Sequence, residues 1–168
     1  MKHFLVIIFL TISANLFAQN DSIKIRNIYL NAYKIDSLNK KAAKISTIKF
    51  DSINVKIKYF NDKVETENFF INSNTTLSII FYSENSKLSF ARIIEKCKTM
   101  GDLANTSEYY FEHNKIFSER YYHGVRGCMA IPFGKSIYEL YGYNKYLNDE
   151  FLKSYVIKLY DKIKKNYR

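Results

Sequence analysis

Tryptophan is absent from this 168-residue chain, proline occurs once, glycine five times and cysteine twice. So little proline and glycine leaves no material for long linkers, collagen-like repeats or low-complexity tracts. Two cysteines are too few for a disulfide scaffold. Histidine is scarce as well, three in all, and no close pair of Cys or His gives the ligand spacing of a structural zinc site. Phosphate-cradling glycine loops are missing, since Gly124-Val125-Arg126-Gly127 has neither the spacing nor the helix start they need. Long apolar runs are missing too: Phe4 to Ile12 falls short of the roughly 20 residues that a membrane helix requires. These absences predict no cofactor, no metal and no transmembrane segment.

The short apolar run has another reading. Lys2 and His3 precede it, and Leu16-Phe17-Ala18 ends in the small residue at which a signal peptidase cuts. Residues 1–18 therefore read as a signal peptide, with Gln19 as the new N-terminus and residues 19–168 as a single domain. This predicts an exported protein, periplasmic or secreted. No cysteine follows the cleavage point, so no lipid-anchor signal accompanies it.

About 150 residues suit one domain with one core. Net charge is +10, and it is concentrated at the ends: residues 21–60 carry nine Lys or Arg against three Asp, and residues 151–168 carry six against one. Cationic ends favour a protein or an anionic envelope component as partner. A basic, tyrosine-rich composition also suits nucleic acid, but export argues against that partner.

Residues 22–46 read as an amphipathic helix through Ile28, Ile35, Leu38, Ala42 and Ile45. From Asn54 to Tyr122 the period changes to two, and turn chemistry at Asn61-Asp62-Lys63, Asn72-Ser73-Asn74, Glu84-Asn85-Ser86 and His113-Asn114 divides the stretch into six strands. Leu152, Tyr155, Val156, Leu159 and Ile163 then mark the apolar stripe of a final helix capped by Asn148 or Asp149. The expected fold is α+β: an antiparallel meander sheet of about six strands flanked by an N-terminal and a C-terminal helix, the latter on one sheet face.

The best-defined local motif is Glu108-Tyr109-Tyr110-Phe111-Glu112-His113-Asn114-Lys115-Ile116-Phe117. A two-residue turn at His113-Asn114 pairs Glu112 with Lys115, Phe111 with Ile116, Tyr110 with Phe117 and Glu108 with Glu119. His113 is then a turn residue, tolerant of positive φ. The Tyr-Tyr-Phe hairpin resembles one found in small uncharacterised exported bacterial sheet proteins, in which an Asn-Gly-Lys-Leu-like turn follows. The resemblance implies export and a sheet, and brings no activity.

Cys97 and Cys128 are open to two readings, a disulfide in an oxidising compartment or free thiols, with Cys97 buried at the end of an apolar strand. The sharpest enzymatic reading is a small cysteine hydrolase with Cys128 as nucleophile and His123 or His113 as base. No hydrolase signature surrounds Cys128. Aromatics point elsewhere: thirteen Phe or Tyr lie between Tyr59 and Tyr122, and tyrosines on an open sheet face make platforms for sugars, peptides or proteins. The expectation is an exported non-catalytic binding or inhibitor-like module of the cell envelope, with Tyr110, Tyr121, Tyr122 and Arg126 as candidate ligand-binding residues and no catalytic residue assigned. The irregular stretch 124–135 is the alternative binding surface.

Overall fold

In the computed structural model the described residues are 2–38, 41–51, 53–69, 75–97, 103–125 and 149–167. The chain divides into two units, Met1–Leu38 and Asn39–Arg168. The first is one helix, α1 (Lys2–Leu38). No proline or glycine interrupts these residues, which removes the two strongest helix breakers. In the last turn the Ser37 hydroxyl donates to the Lys34 carbonyl at 2.7 Å, satisfying one of the acceptors that a helix end leaves open.

The helix expected over 22–46 thus stops eight residues early. Ile45, Thr47 and Ile48 are β-branched, lose rotamer freedom in a helix and pack well on a pleated surface. They enter strand β1 (Lys44–Phe50) instead, and Ile45 is exposed rather than on an apolar helix face. Among the described residues this raises the strand count from the expected six to seven.

The second unit continues with β2 (Ile53–Tyr59), β3 (Lys63–Phe69), β4 (Thr75–Glu84), β5 (Lys87–Cys97), β6 (Leu103–Glu112), β7 (Lys115–Val125) and the helix α2 (Asp149–Tyr167). The strands form one antiparallel sheet in the order β1-β2-β3-β4-β5-β6-β7, so every strand pairs with its neighbour in sequence. The fold is α+β, an antiparallel meander with a helix before it and a helix after it in the chain. No helix among the described residues is long and apolar enough to cross a membrane.

Helix α2 lies on the face carrying Val55, Ile57 and Tyr59 of β2, Leu77, Ile79 and Phe81 of β4, Ile93 of β5 and Tyr109 of β6. Its own stripe of Leu152, Tyr155, Val156, Leu159 and Ile163 is buried among them, as the spacing predicts. Each such side chain contributes about 1.5–3 kcal/mol by leaving water. Phe50 and Tyr155 meet edge to face at 5.4 Å, and Phe81 meets Tyr160 at 5.4 Å. Asp149 and Glu150 open the helix and Lys164 and Lys165 close it, both favourable with its dipole.

A polar strip crosses this core and leaves none of its side-chain groups unmatched. Tyr155 donates its hydroxyl to Asn68 Oδ1 at 2.8 Å, while Asn68 Nδ2 donates to the Leu77 carbonyl at 2.9 Å and to Thr66 Oγ1 at 3.1 Å. Thr66 in turn donates to the Ile79 carbonyl at 3.2 Å. A one-residue slip of β3 would bury its charged alternates and strand these groups, so the strip fixes register.

The opposite face carries an aromatic ladder: Tyr82 on Phe90 at 5.3 Å, Phe90 on Tyr110 at 5.0 Å, and Tyr110 against Phe117 at 6.5 Å. Tyr82, Phe90 and Tyr110 are fully buried.

The hairpins β4–β5 and β6–β7 share one construction. Asn85 and Ser86 have φ of 51° and 62°, and His113 and Asn114 have 50° and 62°, the paired left-handed conformation that matches strand twist in a two-residue hairpin. Two pairs later each ladder slips by one residue, between Tyr82 and Ser83 and between Tyr110 and Phe111, so that Ser89 and Phe117 are the extra residues of two β-bulges. The β2–β3 hairpin turns at Asn61-Asp62, where Phe60 N–H donates to the Lys63 carbonyl at 2.9 Å. All three turns lead into Lys and then a branched aliphatic: Lys63-Val64, Lys87-Leu88 and Lys115-Ile116.

Serine gains nothing from positive φ, whereas glycine adopts it without steric cost. Ser86→Gly is therefore expected to stabilise the protein by roughly 0.5–1 kcal/mol, read as a higher urea midpoint with an unchanged slope. A lower midpoint would show that the Ser86 side chain contributes more than its backbone costs.

Candidate functional site

The second bulge decides what β7 presents. In the register expected from sequence, Glu108 faces Glu119. The structure keeps Glu112 opposite Lys115 and Phe111 opposite Ile116, then slips so that Tyr110 faces Ser118 rather than Phe117, and Glu108 faces Arg120. A like-charge pair becomes an opposite-charge pair, the arrangement that cross-strand neighbours favour. Arg92 on β5 faces Glu108 from the other side. The row Arg92–Glu108–Arg120 therefore alternates in sign across three strands.

Glu108 is only 3 % exposed, and both of its oxygens are bonded. Arg92 Nε donates to Oε1 at 3.2 Å, and the Tyr110 hydroxyl donates to Oε2 at 2.9 Å. Burial, followed by the neighbouring Glu108 charge, pushes the Tyr110 phenol well above its ordinary value. Arg120 lies 5.8 Å over the Tyr110 ring, and the Tyr122 hydroxyl beside it favours the charged guanidinium.

On the other face of β7 a second cluster ties the strand to α2. The hydroxyls of Tyr109 and Tyr121 both donate to Asp149 Oδ1, the former at 3.1 Å. Lys153 Nζ bridges Asp149 Oδ2 at 2.6 Å and Glu119 Oε2 at 2.5 Å. Burial opposes the charge on Asp149, but the bonds from Lys153, Tyr121 and Tyr109 outweigh it and hold its pKa below the usual carboxylate value. The same bonds, Asp149 first and Glu119 second, raise the Lys153 ammonium. Desolvation, then Asp149, raises both phenols far beyond neutrality. Asp149 and Lys153 are thereby favoured in their charged forms and Tyr109 and Tyr121 in their neutral forms, and the bonds among them latch β7 to α2.

A carboxylate with a lower pKa folded than unfolded stabilises the fold above its unfolded value, near 4, and loses that contribution as pH falls through the folded one. Asp149→Asn should therefore cost about 0.5–1 kcal/mol at pH 7, a figure reduced for solvent screening at a half-exposed group. The gap between variant and parent should close as the pH falls below about 4. Denaturation at pH 7 and pH 3 checks this, and a gap that widens in acid would contradict it.

Tyr121 and Tyr122 remain 44 % and 48 % exposed, on opposite faces of β7. Tyr110 has no accessible surface, and its ring is packed between Phe90 and Phe117. His113 occupies the turn, with positive φ. His123 and Cys97 lie in β7 and β5, and their side chains fall outside the described residues. Arg126, Cys128 and almost all of the 124–135 stretch fall outside them too, and with them the pairing of Cys97 and the Cys128 nucleophile. Among the described residues no three His, Cys, Asp or Glu side chains are grouped to hold a metal ion.

Sequence reading missed one further feature, a cleft of about 320 Å³ at the hairpin end of the sheet. Tyr59, Phe60 and Val64 meet Tyr160 and Ile163 of α2 there, with Asn61, Asp62 and Lys164 at its rim. Ser83 Oγ and the Tyr160 hydroxyl share a hydrogen bond of 3.2 Å, and buried Lys63 sits 2.9 Å from Glu65 and 4.8 Å over the Phe60 ring. Ser83, Tyr160 and Lys63 are thus already engaged within the protein.

Comparison with family models, curated proteins and solved structures finds no match to this chain.

Proposed function

We propose that the protein is an exported, non-catalytic binding or inhibitor-like module of the cell envelope, and that β7 is its binding surface. The observation that carries this reading is the construction of β7. The strand holds two large aromatic side chains at the surface, Tyr121 and Tyr122, beside an exposed Arg120, and the latch to α2 fixes its position from behind. Tyr and Arg are the residue types that anchor interfaces most often, because they combine large contact area with directional hydrogen bonds. Asp149 and Lys153 behind the strand are held in their charged forms by their mutual bonds, which suits a fixed recognition surface. The signal-like residues 1–18 favour a partner outside the cytoplasm.

A photo-crosslinking residue at Tyr122 tests the binding surface in living cells, with the same residue at exposed Ser154 on α2 as control. The expected result is an adduct to an envelope component from position 122 and none from position 154. Equal yields from both positions, or none from either, would remove β7 as the surface. Intact mass of the product tests export in the same samples, since removal of residues 1–18 leaves a chain beginning at Gln19.

A further inference from the structure

We infer that β7 receives an extended acidic segment of a partner protein as an eighth strand, an inference that rests on β7 being the binding surface. Eleven residues make β7 one of the longest strands of the sheet, and among the described residues no strand pairs with its outer edge. A strand edge of this kind offers a row of backbone donors and acceptors that templates an incoming chain. The side chains say what that chain must carry. Across β5, β6 and β7 the row reads Arg92, Glu108, Arg120, so the next position outward faces a cation. Glu108 already uses one oxygen on Arg92 and the other on Tyr110, and Arg120 is exposed at the margin with a planar five-donor head suited to a carboxylate. One row along on the same face, Tyr122 offers a ring to an apolar residue two positions away on the incoming strand.

The opposite edge is built differently. β1 is seven residues long, with exposed Lys44 and Lys49 near its two ends, the charged flanks by which proteins blunt an edge. Phe50 packs β1 on Tyr155 of α2, but among the described residues β1 shows no ion pair or side-chain hydrogen bond to α2 like those of Tyr121 with Asp149 and Glu119 with Lys153. Preorganisation of the receiving strand lowers the ordering cost of binding, and β7 has it.

The test uses the full chain, isotopically labelled, and two blocked nine-residue peptides that alternate Thr and Val, one with a central Glu and the other with a central Lys. In the protein alone the β7 amides that do not bond to β6 should exchange rapidly. Millimolar Glu peptide should slow them at least tenfold, while the Lys peptide binds about tenfold more weakly. Arg120→Glu should invert that preference, with a cooperative thermal melt, at a midpoint lowered by the new charge opposite Glu108, showing that the variant is folded. Slow exchange of those amides in the free protein would mean that the edge is already taken, and would overturn the inference. Protection at β1 instead, or a preference that Arg120→Glu leaves unchanged, would overturn it equally. If crosslinking from Tyr122 succeeds while β7 stays unprotected by any acidic peptide, the binding surface stands and strand addition falls.

Discussion

Truncation of Leu159 to Ala is expected to lower the unfolding free energy by about 3 kcal/mol. Leu159 has no exposed surface and sits in the middle of the α2 stripe, with Val156 and Ile163 on either side and the β2 and β4 residues Ile57 and Ile79 in the same cluster. The cost has two parts, the transfer of the lost methyl and methylene groups from water and the cavity left when their neighbours cannot close in. A seven-stranded sheet is stiff, so little collapse will offset the second part. Urea denaturation at pH 7 measures the effect, with exposed Ser154→Ala as a control expected within about 0.5 kcal/mol of the parent. A loss below 1 kcal/mol for Leu159→Ala would mean that α2 contributes little to the cooperative unit.

Replacement of Arg92 by Leu is expected to cost a similar amount, about 3 kcal/mol, for a different reason. The substitution leaves Glu108 buried as a carboxylate with its Arg92 bond gone. Removal of both charges, as Arg92→Leu with Glu108→Leu, should recover much of the loss, because the buried pair recoups its desolvation only in part. The double-mutant cycle isolates the coupling. If the double variant is as unstable as the sum of the two single ones, the ion pair has no stabilising role of its own and the losses come from packing alone.

The parts of the fold that were legible in sequence are those with a clean period. The α2 stripe at Leu152, Tyr155, Val156, Leu159 and Ile163 is buried as its spacing predicts. His113-Asn114 turns with both φ positive, and the first two pairs of that hairpin form in the expected register. What escaped was anything decided by one residue. The bulge at Tyr110 and Phe111 follows from strand twist and side-chain packing near a tight turn, and it leaves no mark in alternation. One extra residue moved Arg120 opposite Glu108. Strand β1 escaped because Ala42 and Ile45 extended a helical period by chance, while the strand state depends on pairing with β2, which a local window does not contain. The candidate site was half legible: Tyr121 and Tyr122 were singled out and are exposed, but so was Tyr110, which is buried. Alternation separates the two faces of a strand without telling which face is covered. A signal for the hairpin repeat was available, in the Lys and branched aliphatic that follow each of the three turns.

The neighbour-to-neighbour order of the strands also governs how the chain reaches this structure. Each strand pairs with the one made just before it, so most contacts span short loops, and loop-closure entropy is small at every step. Hairpins of two-residue turns close in microseconds. A sheet that grows one strand at a time from its N-terminal side needs no distant segment to begin. α2 is the exception: through Tyr155 it bonds Asn68 of β3, 87 residues away in sequence, and it can only dock once β2 to β4 are in place. The sheet thus assembles as a sequence of local events, and a helix made after its strands seals them.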